Sequence, residues 1–256
     1  MNFTGLRSLS TSDFLALSND EVHVWCASLD RSPESIENLA LLLSVEERTR
    51  AARFYFERDR KHFIMGRGLL RMILSSYLGM KPAQVRFHYG PNGKPALKAG
   101  AHGKTVQFNL SHSQDVALYA ICCNRQVGVD VEYIQTVPEA DRIAEDFFSP
   151  HESAMIHACS EEHKMDLFFH MWTYKEAYLK ASGEGLTRPL TEIKTLPVYG
   201  EPAHLFSTVG DRREAFQWRM QSFRPQPGYL AAVVAEGNDW HAKFGELGAG
   251  NINEFL

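Results

Sequence analysis

Three acidic side chains stand where they could share a cation. In Gly128-Val129-Asp130-Val131-Glu132 the valines alternate with the acids. As a strand, this segment turns Val127, Val129 and Val131 one way and Asp130 and Glu132 the other. Two carboxylates on one strand face repel unless a metal ion or a cationic side chain sits between them. An edge strand with a solvated acidic face reads the same way, so this short motif leaves both readings open. The third acid is Glu176, in Phe168-Phe169-His170-Met171-Trp172-Thr173-Tyr174-Lys175-Glu176-Ala177-Tyr178-Leu179-Lys180. On a helix Trp172, Glu176 and Lys180 fall on one stripe. A surface Glu–Lys pair is the plain reading. The bulky aromatics around the pair and the Gly183-Glu184-Gly185-Leu186 turn after it speak for a site. A carboxylate fixed on a helix would complete an oxygen-rich set suited to Mg²⁺, which keeps waters and takes phosphate oxygens.

Phosphate-binding candidates lie upstream. Ser111 and His112, in Phe108-Asn109-Leu110-Ser111-His112-Ser113, can donate hydrogen bonds to a phosphate. Arg50 and Arg53 precede Phe54-Tyr55-Phe56, and Lys94 lies in Gly93-Lys94-Pro95. Arginine suits bidentate phosphate recognition and lysine acts as a point charge. Each of these residues also fits an ordinary solvated face. Gly66-Arg67-Gly68 lacks the third glycine of a dinucleotide fingerprint and follows a helical pattern, so it is set aside.

The elements that position these groups follow from periodicity. Val22–Ala27 alternates as a strand. Ser44-Val45-Glu46-Glu47 has the form of a capping box and opens a helical stretch running to Tyr77, closed by Gly79 and Pro82. Val85–Tyr89, Val106–Leu110, Val116–Cys122 and Val127–Tyr133 read as short strands separated by turns. Ser149-Pro150-His151-Glu152 is a second helix start, and Leu167–Lys180 is an amphipathic helix. Glu192–Thr195, Ala215–Ser222 and Tyr229–Ala235 complete the pattern as strands. A shift of about a hundred residues aligns Ser44 with Ser149, Glu47 with Glu152, Phe63 with Phe168 and Leu74 with Leu179. The expectation is an α+β fold of two pseudo-symmetric halves, each with helices packed on a small antiparallel sheet. The halves divide as 1–124 and 125–240, with 241–256 a loose tail.

Composition narrows the function class. The 256 residues carry 27 Lys+Arg against 31 Asp+Glu, a net charge of −4, which argues against a broad nucleic-acid face. No apolar run reaches the length of a membrane span, and the N-terminus lacks a signal-peptide core. The four cysteines (Cys26, Cys122, Cys123, Cys159) have neither metal nor disulfide spacing, so a reduced, cytoplasmic protein is expected.

Taken in order, Gly93-Lys94-Pro95, Phe108–Ser113, Gly128–Glu132 and Trp172–Lys180 with its Gly-x-Gly-Leu resemble the Sfp-type 4′-phosphopantetheinyl transferases. The resemblance spans residues 44 to 190 and implies that family's fold. It implies transfer of phosphopantetheine from coenzyme A to a serine of an apo acyl or peptidyl carrier protein, with release of 3′,5′-ADP. By the same resemblance Asp130, Glu132 and Glu176 hold Mg²⁺, and Glu176 and Lys180 are catalytic. Lys94, Ser111 and His112 hold coenzyme A, with Arg50 and Arg53 beside His112 at the 3′-phosphate, and Lys175 joins Lys180 near the pyrophosphate. The resemblance is to the fused, monomeric type rather than to the shorter homotrimeric carrier-protein synthases. By the resemblance, carrier docking through mainly apolar contact is expected on Ile134–Phe148, with Arg67 and Arg71 steering an acidic partner; packing of the same apolar residues inward, as the core face of a short helix, is the other reading. Two rival readings remain: a Mg²⁺-dependent phosphodiesterase or pyrophosphatase on the same acids, and a non-catalytic coenzyme A-binding protein.

Overall fold

The structure is a computed structural model, and it describes residues 16–97, 105–195, 205–208 and 217–248. Four layers stack on one another: a long helix, a sheet, a second sheet and another long helix. The first sheet holds β1 (Glu21–Ser28), β4 (Val106–Ser113), β5 (Val116–Cys123) and β11 (His241–Leu247), in the order β11-β1-β5-β4. The second holds β6 (Val127–Tyr133), β9 (Trp218–Phe223) and β10 (Tyr229–Glu236), in the order β6-β10-β9. β2 (Phe87–Tyr89) pairs with β3 (Pro95–Leu97), and β7 (Ile193–Thr195) with β8 (Leu205–Thr208). All of these pairings are antiparallel except β1 with β11, which is parallel.

Strand alternation builds the layers. Trp25, Ala27, Tyr119, Ile121 and Cys123 face the first long helix. Val22, Val24, Leu118, Ala120 and Cys122 face Val127, Val129 and Val131 of the second sheet. Both faces of β5 are therefore apolar, which explains its nearly unbroken hydrophobic run, while β1 carries Glu21 and His23 on the face of Trp25. The neighbours Cys122 and Cys123 point into different cores, and all four cysteines are free. Among the described residues no helix is long and apolar enough to cross a membrane.

The helices are α1 (Pro33–Leu42), α2 (Val45–Ala51), α3 (Glu57–Leu78), α4 (Ala140–Phe147), α5 (Pro150–Ala158) and α6 (Glu161–Ser182). Both capping boxes form, Ser44 with Glu47 and Ser149 with Glu152. The continuous helix expected from Ser44 to Tyr77 is instead broken between Ala51 and Glu57. Glu57 and Asp59 in the first turn of α3 favour a fresh N-terminus there. α1 was not foreseen. Gly68 lets it approach closely, because a Cβ there would lie 2.7 Å from the Leu39 Cβ.

The echo between halves extends to their polar interiors. Arg71 Nε donates to Glu47 at 2.7 Å, and its Nη1 donates to the carbonyls of Pro82 and Val85 at 2.9 and 3.0 Å. Lys175 Nζ repeats this with Glu152 at 2.9 Å and the carbonyls of Leu190, at 2.9 Å, and Ile193. Each half thus uses its capping-box glutamate to hold a buried cation of its long helix against a short 3₁₀ turn. The sheets are not equal. The first half borrows its outer strand, since His241–Leu247 is a strand beside β1 and not a loose tail. Residues 249–256 lie outside the described residues.

Candidate active site

Packing of α6 on β6 brings the acids together. Glycine at position 128 permits it: a Cβ there would lie 2.0 Å from the Ala177 carbonyl oxygen and 2.4 Å from the Ala181 nitrogen. With the helix this close, Lys180 Nζ reaches Asp130 Oδ1 at 2.6 Å and the Ser111 hydroxyl at 2.9 Å. Ser111 Oγ also donates to Asp130 Oδ1 at 2.9 Å.

β4 crosses to β6 through a row of alternate side chains. Asn109 Oδ1 accepts from the Val129 amide at 2.9 Å, Ser111 holds Asp130, and Ser113 Oγ donates to Glu132 at 2.9 Å. Asn109 and Ser113 were not singled out from sequence. The alternation Asn109-x-Ser111-x-Ser113 was the available signal, since it puts three polar groups on one strand face opposite Asp130-x-Glu132.

The site is short of positive charge. Burial raises the Asp130 carboxyl, against the pull of Lys180 and Ser111. Burial, and then the Asp130 charge, raise both Glu132 and Glu176. Three carboxylates thus share one ammonium, and the buried Asp130 Oδ2 has no hydrogen-bond partner among the described residues. An oxygen left unpaired in a buried acidic cluster fits a cation ligand. Among the described residues, no three His, Cys, Asp or Glu side chains stand close enough together to hold a metal ion by themselves. What Asp130 Oδ2 offers is a single open ligand position, of the kind used by an ion that keeps waters and takes substrate oxygens.

A cleft of about 240 Å³ opens beside the acids, with Gly93, Lys94 and Pro95 on one wall and Glu176, Lys180 and Gly183 on the other. Asn92 Nδ2 ties the walls together by donating to the carbonyls of Gly183 and Glu184 at 3.0 and 2.7 Å. Lys94 Nζ does likewise with Val127 O and Ala181 O at 3.2 and 3.0 Å. Burial brings the Lys94 ammonium down to about 8.

Several expected residues stand elsewhere. Lys175 is fully buried and its ammonium is held by Glu152 and two carbonyls, so the expectation that it lies at a pyrophosphate is corrected. In this pair Lys175 is lowered, chiefly by burial. Burial would raise Glu152, but the Lys175 charge and several hydrogen bonds bring it down overall. His112 points to the opposite face of β4 from Ser111, where burial and the neighbouring charges of His62 and Lys180 lower its basicity. Arg50 and Arg53 are exposed on α2 and the turn after it, lining a separate cleft of about 640 Å³ with Val45, Glu46, Thr49 and Phe54. Arg67 and Arg71 are buried, with 8% and 2% exposure, which removes them from any role in steering a partner.

Known proteins resemble this chain over most of its length. Residues 29–124 match the model "4′-phosphopantetheinyl transferase, N-terminal", and residues 126–234 match the 4′-phosphopantetheinyl transferase superfamily. The 4′-phosphopantetheinyl transferase HetI of Nostoc is 41% identical over 230 residues, covering 90% of this chain and 94% of its own. The transferase Sfp of Bacillus subtilis is 32% identical over 213 residues, covering 82% of this chain and 89% of its own. The L-aminoadipate-semialdehyde dehydrogenase-phosphopantetheinyl transferase of Mus musculus is 30% identical over 222 residues, covering 81% and 72%. With relatives similar over nearly its whole length and an acidic site built between its two sheets, the chain belongs to the 4′-phosphopantetheinyl transferase family, which moves phosphopantetheine from coenzyme A to a carrier-protein serine.

Proposed function

We propose that this transferase is a Mg²⁺-dependent, cytoplasmic monomer that modifies an apo acyl or peptidyl carrier protein, with its chemistry centred on Asp130, Glu132, Glu176 and Lys180. The observation that carries the metal reading is the buried Asp130 Oδ2, unpartnered among the described residues, beside two carboxylates that burial and then the Asp130 charge raise. Asp130, Glu132 and Glu176 would hold the ion. When bound, Mg²⁺ supplies positive charge to the pyrophosphate of coenzyme A.

The residues of the chain do the rest. Ser111 and Asp130 hold the Lys180 ammonium at the cleft, where it neutralises charge developing on the leaving 3′,5′-ADP. Glu176 faces the same cleft and takes the serine proton as that oxygen attacks the β-phosphorus. Asn92 and Lys94 keep the cleft walls in register, so alignment of the two substrates rests on the junction between halves.

The test uses Asp130→Asn with coenzyme A, Mg²⁺ and an apo carrier protein, read by mass, together with calorimetric titration of Mg²⁺. The variant is expected to fold and to lose Mg²⁺ binding, with transfer down about 10²–10³-fold. Near-normal transfer in Asp130→Asn would remove the metal site from these residues. Hydrolysis of coenzyme A by the parent without a carrier would favour the phosphodiesterase instead, and binding without chemistry the non-catalytic protein.

A further inference from the structure

Polar side chains that the transfer chemistry leaves unused form a continuous chain inside the first half. β1 supplies Glu21, His23 and Trp25, the last turn of α3 supplies Tyr77, and β11 supplies His241 and Lys243. The parallel register sets Glu21 beside His241 and His23 beside Lys243, so these four share one face of the sheet. His23 is fully buried. Its Nε2 lies 2.9 Å from Glu21 Oε2 and its Nδ1 2.8 Å from the Tyr77 hydroxyl, which also accepts from Trp25 Nε1 at 2.9 Å. Glu21 Oε1 takes Lys243 Nζ at 2.6 Å, with His241 Nε2 at 3.8 Å and Asp20 3.9 Å from the other nitrogen of that ring. From β5, Ile121 stands opposite His23, and the buried Cys123 thiol acts on Tyr77.

These partners fix where the protons lie. An indole nitrogen can only donate and an ionised carboxylate can only accept. A bare Nε2 on His23 would face the lone pairs of Glu21, so the hydrogen is on Nε2 and the bare Nδ1 accepts the Tyr77 O–H. The ring is neutral, in one tautomer, and Tyr77 both donates and accepts. A second proton on His23 would turn Nδ1 into a donor aimed at Tyr77. The Tyr77 hydrogen would then lose its acceptor, because that hydroxyl has no other hydrogen-bond partner among the described residues. We propose that Glu21, His23 and Tyr77 form an acid-sensitive latch, closed while His23 is neutral, that fastens β11 and the end of α3 to β1. Burial lowers the basicity of His23; Glu21 opposes this, and the charges of Lys243 and His241 add to it. A folded value below the free one means that the open state takes up the proton the closed state refuses. The contribution of the latch is therefore complete above the ordinary imidazole range and is lost as pH falls below it. At the far end of β11, Arg31 grips the Leu247 carbonyl, and neither group titrates, so opening starts at His241. The latch holds whichever substrate the cleft takes.

The test is histidine NMR and amide deuterium exchange on the full chain at about pH 7.5 and about pH 5.5, on either side of the free imidazole value. At the higher pH the ring shifts of His23 should report a neutral imidazole with its hydrogen on Nε2. Hydrogen on Nδ1 alone, or an imidazolium, overturns the inference. Corrected for intrinsic rates, exchange in the first half of β11 should rise about tenfold at the lower pH, the equivalent of one pKa unit of linkage, while β10 changes little. In His23→Gln nothing titrates at that position, and the ratio should fall to within about twofold. If that variant fails to fold by circular dichroism, Tyr77→Phe decides. Without the hydroxyl the second proton displaces nothing, so β11 should exchange faster than in the parent at about pH 7.5 and respond less to acid. A parent ratio that does not change with pH, a rise shared equally by β10, or a folded variant as acid-sensitive as the parent overturns the latch.

Discussion

Replacing Lys175 by Met separates the two jobs this residue could have had. In the structure Lys175 and Glu152 expose 0% and 1% of their side chains, and the ammonium satisfies Glu152, Leu190 O and Ile193 O. Removing one partner of a buried pair costs about 3–5 kcal/mol, because the other charge is left uncompensated. Glu152 keeps donors from the amides and hydroxyls of Ser149 and Thr195, which places the loss toward the lower end, about 3 kcal/mol. For a chain of this size that is a fall in Tm of roughly 6–12 °C. The pair's contribution has a definite pH sense: with Glu152 held low, it is present above the ordinary carboxylate range and lost as pH falls through the folded value. Thermal unfolding should show the drop, while kcat and the KM for coenzyme A on the folded enzyme stay within about twofold of the parent, since no substrate contact is lost. Adding Glu152→Gln should recover part of the stability by removing the stranded charge. An unchanged Tm with a tenfold higher KM for coenzyme A would show that the ammonium works at the pyrophosphate and that this reasoning is wrong.

Gly128→Ala should drive α6 off β6, since the new Cβ meets backbone rather than a movable side chain; a soluble variant with near-parent Tm and activity would contradict the packing. Glu21 is drawn down to about 2 by Lys243 and His23, against the effect of burial. Its folded pKa lies below the unfolded value, so roughly 3 kcal/mol of stability present above pH 4.5 should fade as pH falls toward 2. Glu21→Gln should flatten that part of a urea-unfolding pH profile, and an unaltered slope would discount the contact. Phe147 is 46% exposed at the end of α4, so Phe147→Ser should raise the carrier KM severalfold with a Tm within about 2 °C, and an unchanged carrier KM would take α4 out of the interface.

The sequence announced these strands well because β6, with polar groups on one face, and β4 keep strict alternation, while β5 is apolar on both faces yet bounded by turn residues. It also announced both capping boxes, whose residues interact locally. What it hid depends on long-range contact. Nothing in Lys175 itself separates a buried cation from a phosphate ligand; only Glu152, far off in sequence, decides. His112 and Ser111 are neighbours in the chain, yet the pleat sends them to opposite faces. The helix break before Glu57 has no Gly or Pro to mark it. The segment 241–247 looked like a tail because its pairing partner lies at the other end of the chain.

That pairing ties the folding of the first half to the synthesis of residues 241–247, more than two hundred residues after β1. β1 leaves the ribosome early, but Glu21–Ala27 can find their parallel partners only when His241–Leu247 emerge. At ordinary elongation rates the interval is roughly 10–40 s. Throughout it, the nascent chain presents an open, apolar sheet edge of the kind that recruits foreign strands. Phe244 and Trp240, which close the core between the sheets, arrive equally late. A nascent chain stopped before residue 241 should therefore depend on chaperones although every acid of the active site has already been made.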